Sequence, residues 1–91
     1  MDRLSVRVVV LGHVQGVWYR KHARETAVAL GLVGRVRNMP NGSVEAEVEG
    51  AEERIQDFLA WCRIGPSRAR VDRVLTESIP TRGYTSFEID R

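Results

Sequence analysis

The sequence predicts an α+β domain: one antiparallel sheet with two helices packed on one of its faces. Three observations carry this. Short runs with period-two alternation or β-branched enrichment occur at residues 4–11, 33–38, 43–49 and 71–79. Two longer segments, 19–30 and 51–63, place apolar residues at helical spacing. Glycine or proline punctuates the junctions between them.

The first strand covers residues 4–11, where Val6, Val8 and Val10 alternate with Ser5, Arg7 and Val9 until Gly12 ends the run. Residues 12–18 form a loop bounded by Gly12 and containing Gly16. In the helix that follows, Ala23, Ala27 and Leu30 make one modest apolar stripe, and Gly31 is placed to cap its end. The second strand, 33–38, runs into Met39-Pro40-Asn41-Gly42, a turn in which proline pre-sets φ while asparagine and glycine tolerate positive φ.

The third strand, 43–49, alternates cleanly. Val44, Ala46 and Val48 share one face; Glu45, Glu47 and Glu49 share the other, which reads as a solvated surface. Helix 51–63 carries Glu52 and Glu53 in its first turn and Arg63 at its end, as the helix dipole favours. Ile55, Phe58, Leu59 and Cys62 form its core stripe, with Trp61 beside it, and Gly65-Pro66 stops it. A strand at 71–79, a loop at 80–83 and a last strand at 84–90, with Phe87 and Ile89 inward, complete the chain. The order β-α-β-β-α-β is the split βαβ, or ferredoxin-like, arrangement, and residues 1–91 read as a single domain.

Composition narrows the function classes. The chain has 91 residues, 43% hydrophobic and 29% charged, with a net charge of +2. At that size roughly two-thirds of the unfolded surface is buried, enough for one core. The apolar run at 8–11 is too short to span a bilayer, and Met1, Asp2 and Arg3 lead directly into a strand rather than a signal peptide, so the expected location is cytoplasmic, away from membranes. The single cysteine, Cys62, reads as a buried thiol, and no Cys/His cluster predicts a metal. Net charge this small does not argue for nucleic acid. RNA binding on the same strand order needs stacking aromatics on the central strands, where this chain has valines and glutamates.

The informative segment is 12–22. A strand enters a glycine-bearing loop, which enters a helix, and backbone amides converge at such a junction to attract anions. Arg20, Lys21 and His22 crowd the first helical turn, where the dipole disfavours cations by about 0.3–1 kcal/mol each. Three cations there make sense beside a bound anion. His13 and His22 have no ligand pair and are read as non-catalytic. Asn38 borders a turn, where asparagine is common for conformational reasons alone.

Gly12-His13-Val14-Gln15-Gly16-Val17-Trp18-Tyr19-Arg20 resembles the acylphosphatase signature G-x-V-Q-G-V-x-[FM]-R. Gly34-Arg35-Val36-Arg37-Asn38, followed by Gly42-Ser43-Val44 and Gly50, resembles the second signature, G-[FYW]-[AVC]-[KRQAM]-N-x3-G-x-V-x5-G. Gly65-Pro66 with Ala69 and Val71 resembles a third stretch of that family. The resemblance implies a metal- and cofactor-free monomer that hydrolyses acyl phosphates to a carboxylate and inorganic phosphate. It implies a phosphate-binding loop of Val14, Gln15, Gly16, Val17, Trp18, Tyr19 and Arg20, with Arg20 and Asn38 as the catalytic pair. An alternative is a non-catalytic phosphate-binding or regulatory module of the same fold. Two positions depart from the pattern: Tyr19 stands for Phe or Met, which requires a partner for its hydroxyl, and Arg35 stands for an aromatic, which is expected to alter a patch beside the site. Gln15 is read either as a loop support or as a substrate contact. Trp18 is read either as the mouth of the site or as a cover for apolar surface.

Overall fold

The structure, a computed structural model describing residues 3–90, has seven elements in the expected order. They are β1 (Leu4–His13), α1 (Tyr19–Ala29), β2 (Val33–Asn38), β3 (Val44–Gly50), α2 (Glu52–Cys62), β4 (Arg70–Ser78) and β5 (Phe87–Ile89). The strands lie side by side as β4-β1-β3-β2-β5. The pairs β4/β1, β1/β3 and β3/β2 are antiparallel, which gives the ferredoxin-like sheet. The fifth strand departs from the all-antiparallel expectation: β5 joins β2 in parallel and spans three residues rather than 84–90. At the other end, β1 runs on to His13, past the expected stop at Leu11, through a bulge between Leu11 and Gly12.

The period-two pattern decides which face is dry. Register sets Val8 against Ala46 and Val10 against Val44, and all four are buried together with Val36 and Val48. The helices close over this face. α1 presents the small Ala23 and Ala27, while α2 fills the remaining space with Ile55, Phe58, Leu59 and Cys62. Each large aliphatic or aromatic side chain here contributes about 1.5–3 kcal/mol through the water it sheds.

The helix end that sets the path into β2 is well determined. Gly31 adopts φ 72°, the left-handed conformation that glycine takes at least cost. Its amide then donates to Val28 O and that of Leu32 to Ala27 O, which satisfies two terminal carbonyls in a Schellman motif. Leu32 follows into the core.

The glutamate face of β3 is not solvated. Glu45, Glu47 and Glu49 are 4%, 3% and 0% exposed, against the expectation of a wet strand face. The cause is topological. β4 and β5 occupy opposite edges, about 19 Å apart at four strand spacings, so the chain between them must cross the sheet. The helices hold one face, and the connection crosses on the other. Arg82 Nε and the Tyr84 hydroxyl both donate to Glu47 from this connection, and the Arg82 amide donates to Glu49. From the strands, Arg7 and Arg37 clasp Glu45, and Arg35 reaches Glu47 at 3.3 Å. Arg35 therefore belongs to this ionic layer. Its second partner is the Asp90 carboxylate, at 3.1 Å.

Burial alone would raise the carboxyl pKa values of Glu45 and Glu47. Hydrogen bonds from Arg37 and Arg7 to the first, and from Tyr84, Arg35 and Arg82 to the second, outweigh it and hold both below the ordinary range. A depressed folded pKa contributes stability that is complete above the unfolded value and is lost as pH falls through the folded one. Glu47→Gln is therefore expected to destabilise the fold by about 1–3 kcal/mol at neutral pH. The gap between wild type and variant should shrink progressively below about pH 4. Urea unfolding across pH checks both parts; a gap independent of pH would contradict the ionic account.

Candidate active site

The loop after β1 descends into the core before it reaches α1. Val14 and Val17 are buried, so the loop is fastened from below by two apolar side chains. Gly16 and Trp18 both take left-handed backbone, φ 75° and 67°. Glycine accepts this readily, whereas tryptophan is strained by about 1–2 kcal/mol. Trp18 occupies the N-cap position of α1, and no side chain caps the helix. The first intrahelical bond there is His22 N–H to Trp18 O, which leaves the amides at the start of the helix without helical partners.

Two side chains tie this loop to its surroundings. Gln15 Nε2 donates to Met39 O at 2.8 Å and to Ser43 O at 2.9 Å, bridging to the turn between β2 and β3. Of the two readings open for Gln15, this geometry supports the structural one. The Tyr19 hydroxyl donates to Cys62 O at 2.7 Å, and its ring lies 5.1 Å from that of Trp61. Tyr19 thus has the partner that its departure from the family pattern required. Burial pushes its hydroxyl well above the ordinary tyrosine value and pushes the Cys62 thiol up to about 12.

A cavity of about 300 Å³ opens above the loop, lined by Val14, Gly16, Trp18, Tyr19, Arg20, Lys21, Asn38 and Ile89. Of the residues anticipated from sequence, it gathers Val14, Gly16, Trp18, Tyr19, Arg20 and Asn38. Gln15 and Val17 lie below, as supports. Trp18 is two-thirds exposed at the cavity wall, so it does not serve as a cover for apolar surface. Lys21 and Ile89 were not assigned to the site from sequence. For Lys21 the available signal was its place among the first-turn cations.

Two groups stand out chemically. Asn38, at the end of β2, has its Oδ1 buried with no hydrogen-bond partner among the described residues. Such an atom costs about 1–3 kcal/mol unless it serves a purpose. Arg20 Nη1 touches only the carbonyl of Asp90, at 3.5 Å, and among the described residues no carboxylate pairs with it. Among the described residues the wall therefore holds two cations and no anion. No group of metal-ligating side chains is found among the described residues.

Comparison with known proteins places this geometry in context. The Acylphosphatase family profile matches residues 6–89. A relative named Acylphosphatase from Methylococcus capsulatus is 48% identical over 87 residues, covering 94% of this chain and 95% of the relative. Another of that name, from Anaeromyxobacter dehalogenans, is 46% identical over 89 residues, with 97% and 96% covered. The solved structure of an acylphosphatase from Coxiella burnetii superposes with a TM-score of 0.95 at 34% identity, covering 98% of this chain and 94% of that one.

The Tyr19–Cys62 contact is testable on its own. Tyr19→Phe should cost about 1–3 kcal/mol by orphaning a buried carbonyl. Cys62 should resist thiol reagents in the native protein at mildly alkaline pH and react only on unfolding, sooner in the variant. Prompt native-state labelling would contradict its burial.

Proposed function

Because the chain belongs to the acylphosphatase family and is a hydrolase of acyl phosphates, we propose that the loop from Val14 to Arg20 holds the phosphoryl group and that Asn38 positions the attacking water. The observation that carries this is that Asn38, whose buried Oδ1 has no hydrogen-bond partner among the described residues, lines the same cavity as Arg20. The seven elements share one hydrophobic core, which supports reading the described chain as one working domain.

The chemistry asks for little else. The leaving group is a carboxylate whose conjugate acid has a pKa of about 4, so it departs without a proton from the protein. The phosphoryl oxygens need fixed positive potential, which the partnerless amides at the start of α1 and the permanent charge of Arg20 supply. This is the electrostatic role that metal ions fill in many phosphoryl-transfer enzymes. Asn38 offers an acceptor to one water proton and needs no strong basicity, because a loose phosphoryl transition state calls for little base assistance. Water then attacks phosphorus in line with the departing carboxylate, the P–O bond to the acyl group breaks, and the water's proton is lost to solvent. The products are a carboxylate and inorganic phosphate.

Arg20→Ala should weaken competitive inhibition by inorganic phosphate about tenfold or more and lower kcat/KM by about 10²–10³-fold. Unchanged phosphate inhibition in a folded variant would refute the assignment. Asn38→Ala should lower kcat by about 10²-fold while phosphate still binds. Benzoyl phosphate hydrolysis followed by absorbance, in excess EDTA, reads both variants. A normal kcat without Asn38, or loss of wild-type activity in EDTA, would overturn the mechanism.

A further inference from the structure

The cavity wall carries two cationic side chains, Arg20 and Lys21, with different surroundings. Arg20 and Lys21 are consecutive residues of α1, so their side chains leave the helix about 100° apart and serve different parts of the cavity. Lys21 Nζ stands 5.9 Å from the centre of the Trp18 ring. Its only carboxylate partner among the described residues is Glu25, at 3.8 Å, with both side chains more than half exposed. A pair that long and that wet is worth little and exchanges readily for another anion. Lys21 also sits in the first helical turn, where the dipole opposes it; the corresponding turn of α2 carries Glu52 and Glu53.

We propose that Lys21 is a specificity-determining residue for the acyl half of the substrate, and that this site selects acyl phosphates bearing a second negative charge on the acyl group. The inference rests on placing the phosphoryl group at Arg20 and the loop. From there the acyl chain runs along the exposed indole of Trp18, and its far end meets the Lys21 ammonium. A lysine suits this task, since a compact charge on a flexible stem can follow a carboxylate whose position varies from substrate to substrate. The cavity, at about 300 Å³, lies at the small end of ligand pockets and limits the acyl group to a short chain or a single ring.

The test compares 4-carboxybenzoyl phosphate with 4-carbamoylbenzoyl phosphate, which match in size and ring and differ in charge. Wild type should favour the carboxylate in kcat/KM by about three- to fivefold at low salt. That preference should fade as salt is raised. Lys21→Gln should bring the ratio close to one, and Lys21→Glu should invert it. The glutamate variant is not expected to unfold, because an acid is favoured in a first helical turn. A wild-type ratio of one, or a preference that survives in Lys21→Gln, overturns the proposal. The ratio is independent of the absolute rate, so it separates from the mechanism above: an Arg20→Ala variant that keeps its phosphate inhibition would refute the phosphoryl assignment, whatever Lys21 does to the ratio.

Discussion

The side-chain amide of Gln15 donates both of its hydrogens across a gap between two segments, to the carbonyls of Met39 and Ser43. That bridge joins the two halves of the site. The loop belongs to the β1–α1 connection, whereas Asn38 belongs to the end of β2, and the two strands meet only through β3 between them. Two hydrogen bonds from one planar amide set both distance and angle. The Tyr19 hydroxyl does the same at the far end of the loop, pinning it to the C-terminus of α2. Held from both sides and from below by Val14 and Val17, the loop keeps Gly16 and Trp18 in conformations that a free chain would leave.

Charge is sorted by face. The chain is rich in arginine, yet its guanidinium groups do not act as one cationic surface. Arg7, Arg35, Arg37 and Arg82 are engaged with the glutamates of β3 on the face away from the helices. That leaves the cavity, lined by Arg20 and Lys21, without a competing carboxylate from the described residues in its wall. Fixed positive potential in a partly desolvated pocket interacts more strongly with a phosphoryl dianion than the same charge in water. The ionic layer and the site are thus linked through topology: the crossing segment that buries the glutamates also delivers β5, and with it Ile89 to the cavity and the Asp90 carbonyl to Arg20.

Much of this was legible in the residues. The alternation in β1 and β3, the stripe of α2, the Gly31 cap and the Pro40–Gly42 turn are local signals, and each element formed where its own sequence placed it, within a residue or two at most ends. The loop and Asn38 stood out through motifs that resemble the family's, and the fold brings Val14, Gly16, Trp18, Tyr19, Arg20 and Asn38 to one cavity. The extent and direction of the last strand went astray, and so did the reading of one strand face. Glu45, Glu47 and Glu49 look like a solvated face as long as strand β3 is considered alone. Solvation of a strand face depends on what lies over it, which alternation does not encode.

The sequence by itself determined the order of elements, the helix stripes and the glycine turns, because these follow from residue chemistry acting over a few neighbours, whereas Arg20 and Asn38 were singled out by their place in motifs that resemble the family's. Only the tertiary structure decided how Gln15 and Tyr19 are used, that Lys21 and Ile89 border the cavity, and that the three glutamates of β3 are buried, Glu45 and Glu47 of them in ion pairs. Those outcomes depend on strand order. Once β4 and β5 sit at opposite edges, the chain between them has to cross the sheet, and side chains far apart in sequence meet beneath it.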